Sequence, residues 1–408
     1  MSRLKWLYPG MLVKRWVFLI AVGIILIAMG FAVVLMENNP ETRTYTAFTI
    51  IAGIVLVIWG IRGTIRSLLD AYLPKRQKEI VDTVYEKRIL EKGPKIVVIG
   101  GGTGLSALLH GLKEYTSNIT AVVTVADDGG SSGRLREELD VLPPGDIRNC
   151  LVALADTEPL MEKLFQFRFA DGKDLNGHSF GNLFITALSK VTGDFEEAVK
   201  ASSKILAIRG NVIPATLSKI VLKARYKDGT ETEGESKIPE SKSPIERVYI
   251  KPADSRPTLG ALQAIQKAQA IILGPGSLYT SIMPNLLIEG MHEAIRKSNA
   301  VKIYICNVMT QAGETSNYTA SRHVKTIIDH TGSGIINFCI VNTGKVPSEL
   351  VEKYKDENAH PVVVDKNKFR ALKCTVIQDN VIDTKDFVRH DSHKLAKTIF
   401  DLVSSIKK

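Results

Sequence analysis

The sequence is short of cysteine, with four in 408 residues: Cys150, Cys306, Cys339 and Cys374. No two of them form a CxxC pair, which excludes a zinc ribbon and a disulfide framework. Such scatter fits buried thiols of a reducing compartment. HExxH, Walker and Ser–His–Asp patterns are missing too, so nothing points to a zinc peptidase, a P-loop NTPase or a triad hydrolase. There is no internal repeat and no low-complexity tract. Positive charge is scarce where a nucleic-acid partner would need it. The chain carries +10 overall, but residues 1–78 hold ten Lys/Arg against three Asp/Glu, which accounts for +7. The rest of the chain keeps only +3, so no nucleic-acid partner is expected.

Apolar residues are plentiful, at 45%, and unevenly placed. Val17–Met36 has no charge and matches the length of a bilayer-spanning helix. Tyr45–Ile61 is a second uncharged run, and Glu37–Thr44 between them is too short for a domain. Residues 1–74 therefore read as a transmembrane helical hairpin with spans at 17–36 and 45–61. A cleaved signal peptide fits poorly: the first run is too long, has no small-residue cleavage site, and is followed at once by another. Arg3, Lys5, Lys14 and Arg15 precede the first span. Arg62, Arg66, Lys75, Arg76 and Lys78 follow the second, whereas the connection holds only Arg43. The positive-inside rule then predicts a multi-pass protein of the cell membrane with both termini and the main domain cytoplasmic. The basic flanks also suit anionic lipid.

Residues 75–92 are charged and read as a helical linker. From 93 to 408 strands and helices alternate, which predicts an α/β fold: a Rossmann-like, mostly parallel sheet flanked by helices. Later strand candidates are Ala270–Leu273, Val301–Cys306, Ile335–Val341 and Pro361–Val364, with helices expected at Leu286–Ser298 and Arg322–His330. Residues 226–247 interrupt the alternation. This stretch is polar, has Asp228-Gly229 as a turn signal and Pro239 and Pro244 as breakers, and reads as a surface β excursion.

The most informative stretch is Lys95–Arg136. Ile96-Val97-Val98-Ile99 is the continuous β-branched run of a buried parallel strand. It feeds Gly100-Gly101-Gly102-Thr103-Gly104, where glycine lets backbone turn tightly and approach a ligand closely. Leu105, Leu108, Leu109 and Leu112 then recur at helical spacing. A helix starting there turns its amides toward an anion. The dinucleotide fingerprint asks for glycine where Leu105 sits, so the match to that motif is imperfect. A second run, Ile119–Ala126, ends at Asp127-Asp128-Gly129-Gly130-Ser131-Ser132-Gly133-Arg134. Asp127 stands where an acid holds a ribose hydroxyl, or caps the next helix. Asp128 is a candidate ligand for a divalent metal such as Mg²⁺. Gly129, Ser131, Ser132 and Arg134 offer amides, hydroxyls and a cation to phosphate.

Three further motifs carry candidate chemistry. Pro143–Cys150 sets Asp146, Arg148 and Asn149 around a helix start, where an ordinary cap is the competing reading. Gly177-His178-Ser179-Phe180-Gly181-Asn182 places His178 and Asn182 one turn apart, and His178 is a candidate phosphate donor or acid/base as well as a structural histidine. Gly274-Pro275-Gly276-Ser277, with Thr280 following, opens another helix after a strand. Gly/Ser/Thr/Asn residues recur after each strand, at the carboxyl edge where such sheets bind ligands.

Gly101–Ser106, Ala126–Arg136, Pro144–Asn149, Gly177–Leu183 and Gly274–Asn285, in this order, resemble the CofD-like superfamily, and within it the YvcK type, or gluconeogenesis factors. The resemblance runs from about Lys95 to the C-terminus and includes Arg389-His390-Asp391; the membrane hairpin lies outside it. Ala312 departs from the pattern, which usually has proline before Gly313-Glu314-Thr315. The resemblance implies a Rossmann-like core that binds a UDP-sugar such as UDP-N-acetylglucosamine, in a protein supporting cell shape and wall synthesis during gluconeogenic growth. Regulators of wall synthesis and self-association are implied partners. Gly101, Gly102, Thr103 and Gly104 would take the diphosphate, and Asp127 ribose or metal. Arg134 and Ser277 would take phosphate or sugar, with His178 and Asn182 on the opposite wall. Arg148, Asn149, Gly274, Gly276 and Thr280 complete the expected pocket. The CofD branch implies an alternative, a metal-dependent phospholactate-type transferase with Asp128 or Asp146 on the metal and His178 assisting. A regulatory binding protein and a transferase of phosphorus-containing groups both stay open at this point.

Overall fold

The computed structural model describes residues 13–36, 40–72, 88–156, 159–385 and 387–406. They form two compact units, one up to Arg88 and one from Ile89 onward. The first is a helical pair, α1 (Lys14–Met36) and α2 (Pro40–Tyr72). Both are long and apolar enough to cross a membrane, α2 over Thr42–Ser67, so its apolar stretch exceeds the expected 45–61. Glycines let the two helices meet. A Cβ on Gly53 would lie 2.7 Å from the Gly23 carbonyl oxygen, and one on Gly60 2.6 Å from Ile20 Cγ1. Phe18, Ile25, Phe31, Ile51 and Trp59 face outward. Small residues inside and large apolar ones outside suit hydrocarbon surroundings, where close backbone packing rather than apolar burial drives association. Residues 75–87 of the expected linker lie outside the described residues.

In the second unit, β1 (Ile96–Gly100) is buried along its whole length, as its β-branched run predicts. It leads into α3 (Gly102–Leu112), β2 (Ile119–Val123), α4 (Gly130–Leu139) and α5 (Gly145–Leu154). Then come α6 (Pro159–Gln166), α7 (Phe180–Thr192), α8 (Phe195–Ile205) and β3 (Asn211–Pro214). The excursion is a small antiparallel sheet of β4 (Val221–Tyr226), β5 (Glu231–Glu233) and β6 (Ile245–Lys251). It begins and ends a few residues outside 226–247. The chain returns through α9 (Leu259–Lys267), β7 (Ala270–Leu273) and a π-helical turn, Leu278–Ile282. Next follow α10 (Met283–Leu286), α11 (Met291–Lys297), β8 (Val301–Ile305) and α12 (Ala320–Thr331). The unit closes with β9 (Phe338–Asn342), α13 (Ser348–Lys355), β10 (Thr375–Asp379) and α14 (Ser392–Ile406).

The main sheet has seven strands in the order β10-β9-β8-β7-β1-β2-β3, all parallel. The chain runs outward from β1 to β3, then crosses back and runs outward again from β7. The strand order reverses between β1 and β7, and ligands of such sheets bind in the crevice outside that point. Two sequence expectations need correction. Pro361–Val364 is not a strand: Pro361 makes only an isolated bridge to Met309, because proline has no N–H for a ladder. The remaining strand of the main sheet is instead β10, which the sequence does not announce because it sits at the sheet edge and three of its five positions are exposed. The helix expected over Leu286–Ser298 is broken at Gly290, whose φ of +87° lies outside helical space.

Candidate functional site

The carboxyl ends of β1 and β7 face each other across the crevice. Gly101 closes β1 into α3, whose N-terminus receives no side-chain cap. A Cβ at Gly101 would sit 2.5 Å from both Asp146 Oδ2 and Thr124 Cγ2, and one at Gly104 would sit 3.0 Å from the Pro275 carbonyl oxygen. These glycines are required by backbone and side-chain approach from two sides. Gly276 lies against the Gly101 carbonyl in the same way. Asn285 ties the halves together by donating to the Gly100 carbonyl at 3.3 Å and to the Ser281 carbonyl at 2.8 Å. A cavity of about 220 Å³ opens beside α3, with Thr103, Gly104, Pro275, Gly276, Asn307 and His390 among its walls. Ser277 Oγ accepts from Gln311, which in turn accepts from Asn307.

The loop after β2 builds the other wall. Asp127 accepts from the Gly129 amide at 3.0 Å, and its second oxygen lies 3.1 Å from where a Cβ on Gly145 would stand. Ser132 Oγ accepts from the Gly145 amide at 3.1 Å. Ser131 is a hub: its hydroxyl accepts from Asn182 Nδ2 at 3.1 Å and from the Ser179 amide at 3.4 Å. Its proton is left for His178 Nδ1 at 3.0 Å, so His178 carries its own proton on Nε2. Burial, and then the Arg134 charge, hold the His178 pKa below the usual imidazole value. Arg148 bridges Ser179 Oγ at 2.5 Å and Asn149 Oδ1 at 2.6 Å. Arg134 turns outward to the Asn176 carbonyl at 2.7 Å and braces the turn before His178.

Three acids, Asp127, Asp146 and Glu235, lie close enough for their charges to act on one another. Burial and the Asp127 charge raise Asp146 to about 7, against the pull of the Gly102 amide and Arg148. The third acid, Glu235, comes from the excursion and was not foreseen. Burial and the Asp127 charge raise it to about 8, against a hydrogen bond with Thr280. Behind Thr280 lies Glu314, another residue the sequence reading left without a role. Burial raises it to about 7, against the amides of Tyr279 and Thr280 and the Thr280 hydroxyl, which stands 3.4 Å away. Asp128 is engaged by the excursion. Its two oxygens accept the amides of Glu235 at 3.0 Å and Ser236 at 2.9 Å. Among the described residues no three His, Cys, Asp or Glu side chains converge as a metal cage. These donors do not fit a metal held by protein groups alone.

The structure thus brings together Gly101–Gly104, Asp127, Asp146, Gly274–Ser277 and Thr280 around one crevice. Ser131, His178 and Asn182 join as one network, while Ser132, Arg148 and Asn149 support its floor. The signal that could have found Glu235 was Gly234 before it: its φ is +112°, and a Cβ there would meet Asp128 Oδ2 at 2.6 Å.

Residues 96–382 match the family model described as 2-phospho-L-lactate transferase CofD. A gluconeogenesis factor of Bacillus subtilis is 52% identical over 76% of this chain and 98% of its own length. A protein from Clostridium acetobutylicum is 46% identical over 100% of this chain and 93% of its own. A crystal structure of a Bacillus halodurans protein, 50% identical, superposes with a TM-score of 0.74 over 76% of this chain and 99% of that one. The seven-stranded sheet, the glycine crevice and these similarities agree: the chain belongs to the CofD family and has gluconeogenesis factors among its relatives.

Proposed function

We propose that the second unit binds a nucleotide sugar of the UDP-N-acetylglucosamine kind in the β1/β7 crevice. In this reading the helical pair tethers that unit to the cytoplasmic face of the cell membrane. The protein acts as a regulatory binding protein that adjusts wall precursor supply, and with it cell shape, during gluconeogenic growth. The observation that carries the reading is the uncapped start of α3, pressed between Asp146 and Pro275 with Thr103 exposed beside it. The amides of its first turn beyond Gly102 suit a diphosphate, and Asp127 in the loop after β2 suits the ribose. The names of the relatives support the link to gluconeogenesis.

A second reading, transfer of a phosphorus-containing group, draws on Asp146. A carboxyl with a pKa of about 7 beside Gly101 and Gly102 is poised for proton transfer near neutral pH. One experiment separates the two. The full chain in detergent micelles is titrated with UDP-N-acetylglucosamine by calorimetry, with and without Mg²⁺, and the mixture is then assayed for products. Saturable binding with intact ligand supports the binding protein. Release of UMP, UDP or a transferred sugar phosphate supports the transferase. Absence of binding sinks the proposal.

A further inference from the structure

The main sheet ends in β3 on one side and β10 on the other, and the chain treats these edges differently. At β3, Pro214 has no N–H to offer, and its carbonyl accepts the Thr258 hydroxyl at 2.9 Å. The Thr258 amide donates to the Ala215 carbonyl at 3.1 Å, and Thr216 bridges Pro257. The chain thus closes that edge itself. At β10 it does not. The Thr375 amide donates to the Asn337 carbonyl and the Thr343 amide to the Asp379 carbonyl, both on the β9 side. Because alternate residues of a strand bond the same neighbour, Thr375, Ile377 and Asp379 face β9. The N–H and C=O groups of Val376 and Gln378 then face outward, and they have no partner among the described residues. Thr375, Gln378 and Asp379 are exposed, and Val376 and Ile377 are half-buried.

We propose that β10 is a self-association edge, which pairs antiparallel with β10 of a second copy of this chain about a two-fold axis at Ile377. In that register Val376 of each copy stands opposite Gln378 of the other, and every outward N–H meets an outward C=O. Centring the axis on Val376 instead would set Gln378 against Cys374, whose amide already donates to the Phe369 carbonyl. The side chains favour the same register. A two-fold interface has to be self-complementary. Ile377 meets its own counterpart, an apolar pair at the centre, and Thr375 stands opposite Asp379 on either side of it. The Thr375 hydroxyl has no partner among the described residues. The Asp379 carboxylate holds the Thr398 hydroxyl and the Asn380 amide, each at 2.7 Å, and keeps lone pairs free to accept another donor. Two seven-stranded sheets then run on as one.

The test reads register as well as mass. Val376→Cys, Ile377→Cys and Gln378→Cys are made separately in the full chain, held in micelles and oxidised with copper phenanthroline. The four native cysteines are buried and serve as the background. Residues directly opposite in the proposed register have Cα atoms about 4.5 Å apart, within reach of a disulfide. Ile377→Cys is therefore expected to yield covalent dimer at least tenfold faster than either neighbouring position. Gln378→Pro removes only an outward N–H, and proline is tolerated on such an edge. By sedimentation it is expected to shift from dimer toward monomer with an unchanged circular dichroism spectrum. Three results overturn the assignment: a wild-type chain that sediments as a monomer, equal cross-linking at the three positions, or a folded Gln378→Pro variant that stays dimeric, which would mean association through another surface. Should the proline variant unfold, the cross-linking pattern decides.

Discussion

Asp128 and Glu235 stand 107 residues apart in the chain, yet an Asp128 carboxylate oxygen accepts the Glu235 amide at 3.0 Å. The other oxygen accepts the next amide, so a single side chain fixes where the excursion meets the crevice. Replacing it by asparagine sets an N–H₂ group against one of the two amides. We expect Asp128→Asn to cost about 1–3 kcal/mol, read as a lower denaturation midpoint, and to weaken sugar-nucleotide binding. A variant of unchanged stability that instead loses a Mg²⁺ dependence of binding would make Asp128 a metal ligand.

Ser131 serves three partners with one hydroxyl. Ser131→Ala leaves Asn182, the Ser179 amide and His178 with unmet groups, and is expected to lower stability by about 2 kcal/mol. In the wild type, ¹⁵N spectra of the imidazole should show a neutral ring with its proton on Nε2 at pH 7. A proton on Nδ1 would mean that the Ser131 hydroxyl accepts from the ring instead of donating to it.

The helical pair depends on glycine at its crossing. Gly53→Val places side-chain atoms where the Gly23 carbonyl already sits 2.7 Å from the Cβ position. Overpacking of this kind costs about 1–3 kcal/mol, and helix pairing in micelles should loosen, measured by cross-linking of cysteines placed along α1 and α2. Sugar-nucleotide affinity should not change, because the crevice lies wholly in the other unit.

His323 is fully buried, donating through Nδ1 to the Thr319 carbonyl at 2.9 Å. Burial pushes its pKa down to about 4, against the opposing effect of that carbonyl. In the unfolded chain it titrates near 6.5, so between about 6.5 and 4 the unfolded state binds the extra proton. The neutral ring's contribution is therefore complete above pH 6.5 and is lost as pH falls toward 4. Over that range wild type should lose about 3 kcal/mol more than His323→Asn, which keeps the donor and does not titrate. Parallel denaturation curves of the two proteins at pH 4.5 and 7 would contradict this.

Much of the fold was legible because parallel strands covered on both faces are written as unbroken apolar runs rich in isoleucine and valine. Ile96–Ile99 and Ala270–Leu273 announce themselves in that way, and the glycine loops after them follow from the close approach of backbone. β10 was not legible, since an edge strand such as Thr375–Asp379 needs no continuous apolar run and Pro361–Val364 resembled one better. Within the site, residues carried by strand-to-helix loops were found because those loops have a compositional signature. Glu235 and Glu314 have none. Each is an acid in a polar segment, and only the long-range grips of Asp128 and Thr280 give it a place.

Glu314 bears on which way round a ligand can lie. Two helical segments open onto the crevice, one after β1 and one after β7, and each presents backbone amides. At the second, the Thr280 hydroxyl stands 3.4 Å from the buried Glu314 carboxyl. An acid of the protein's own therefore lies behind the second segment, whereas α3 receives no side-chain cap. In the proposed reading, a carboxyl so placed disfavours a second anion after β7 and leaves α3 as the place for the diphosphate.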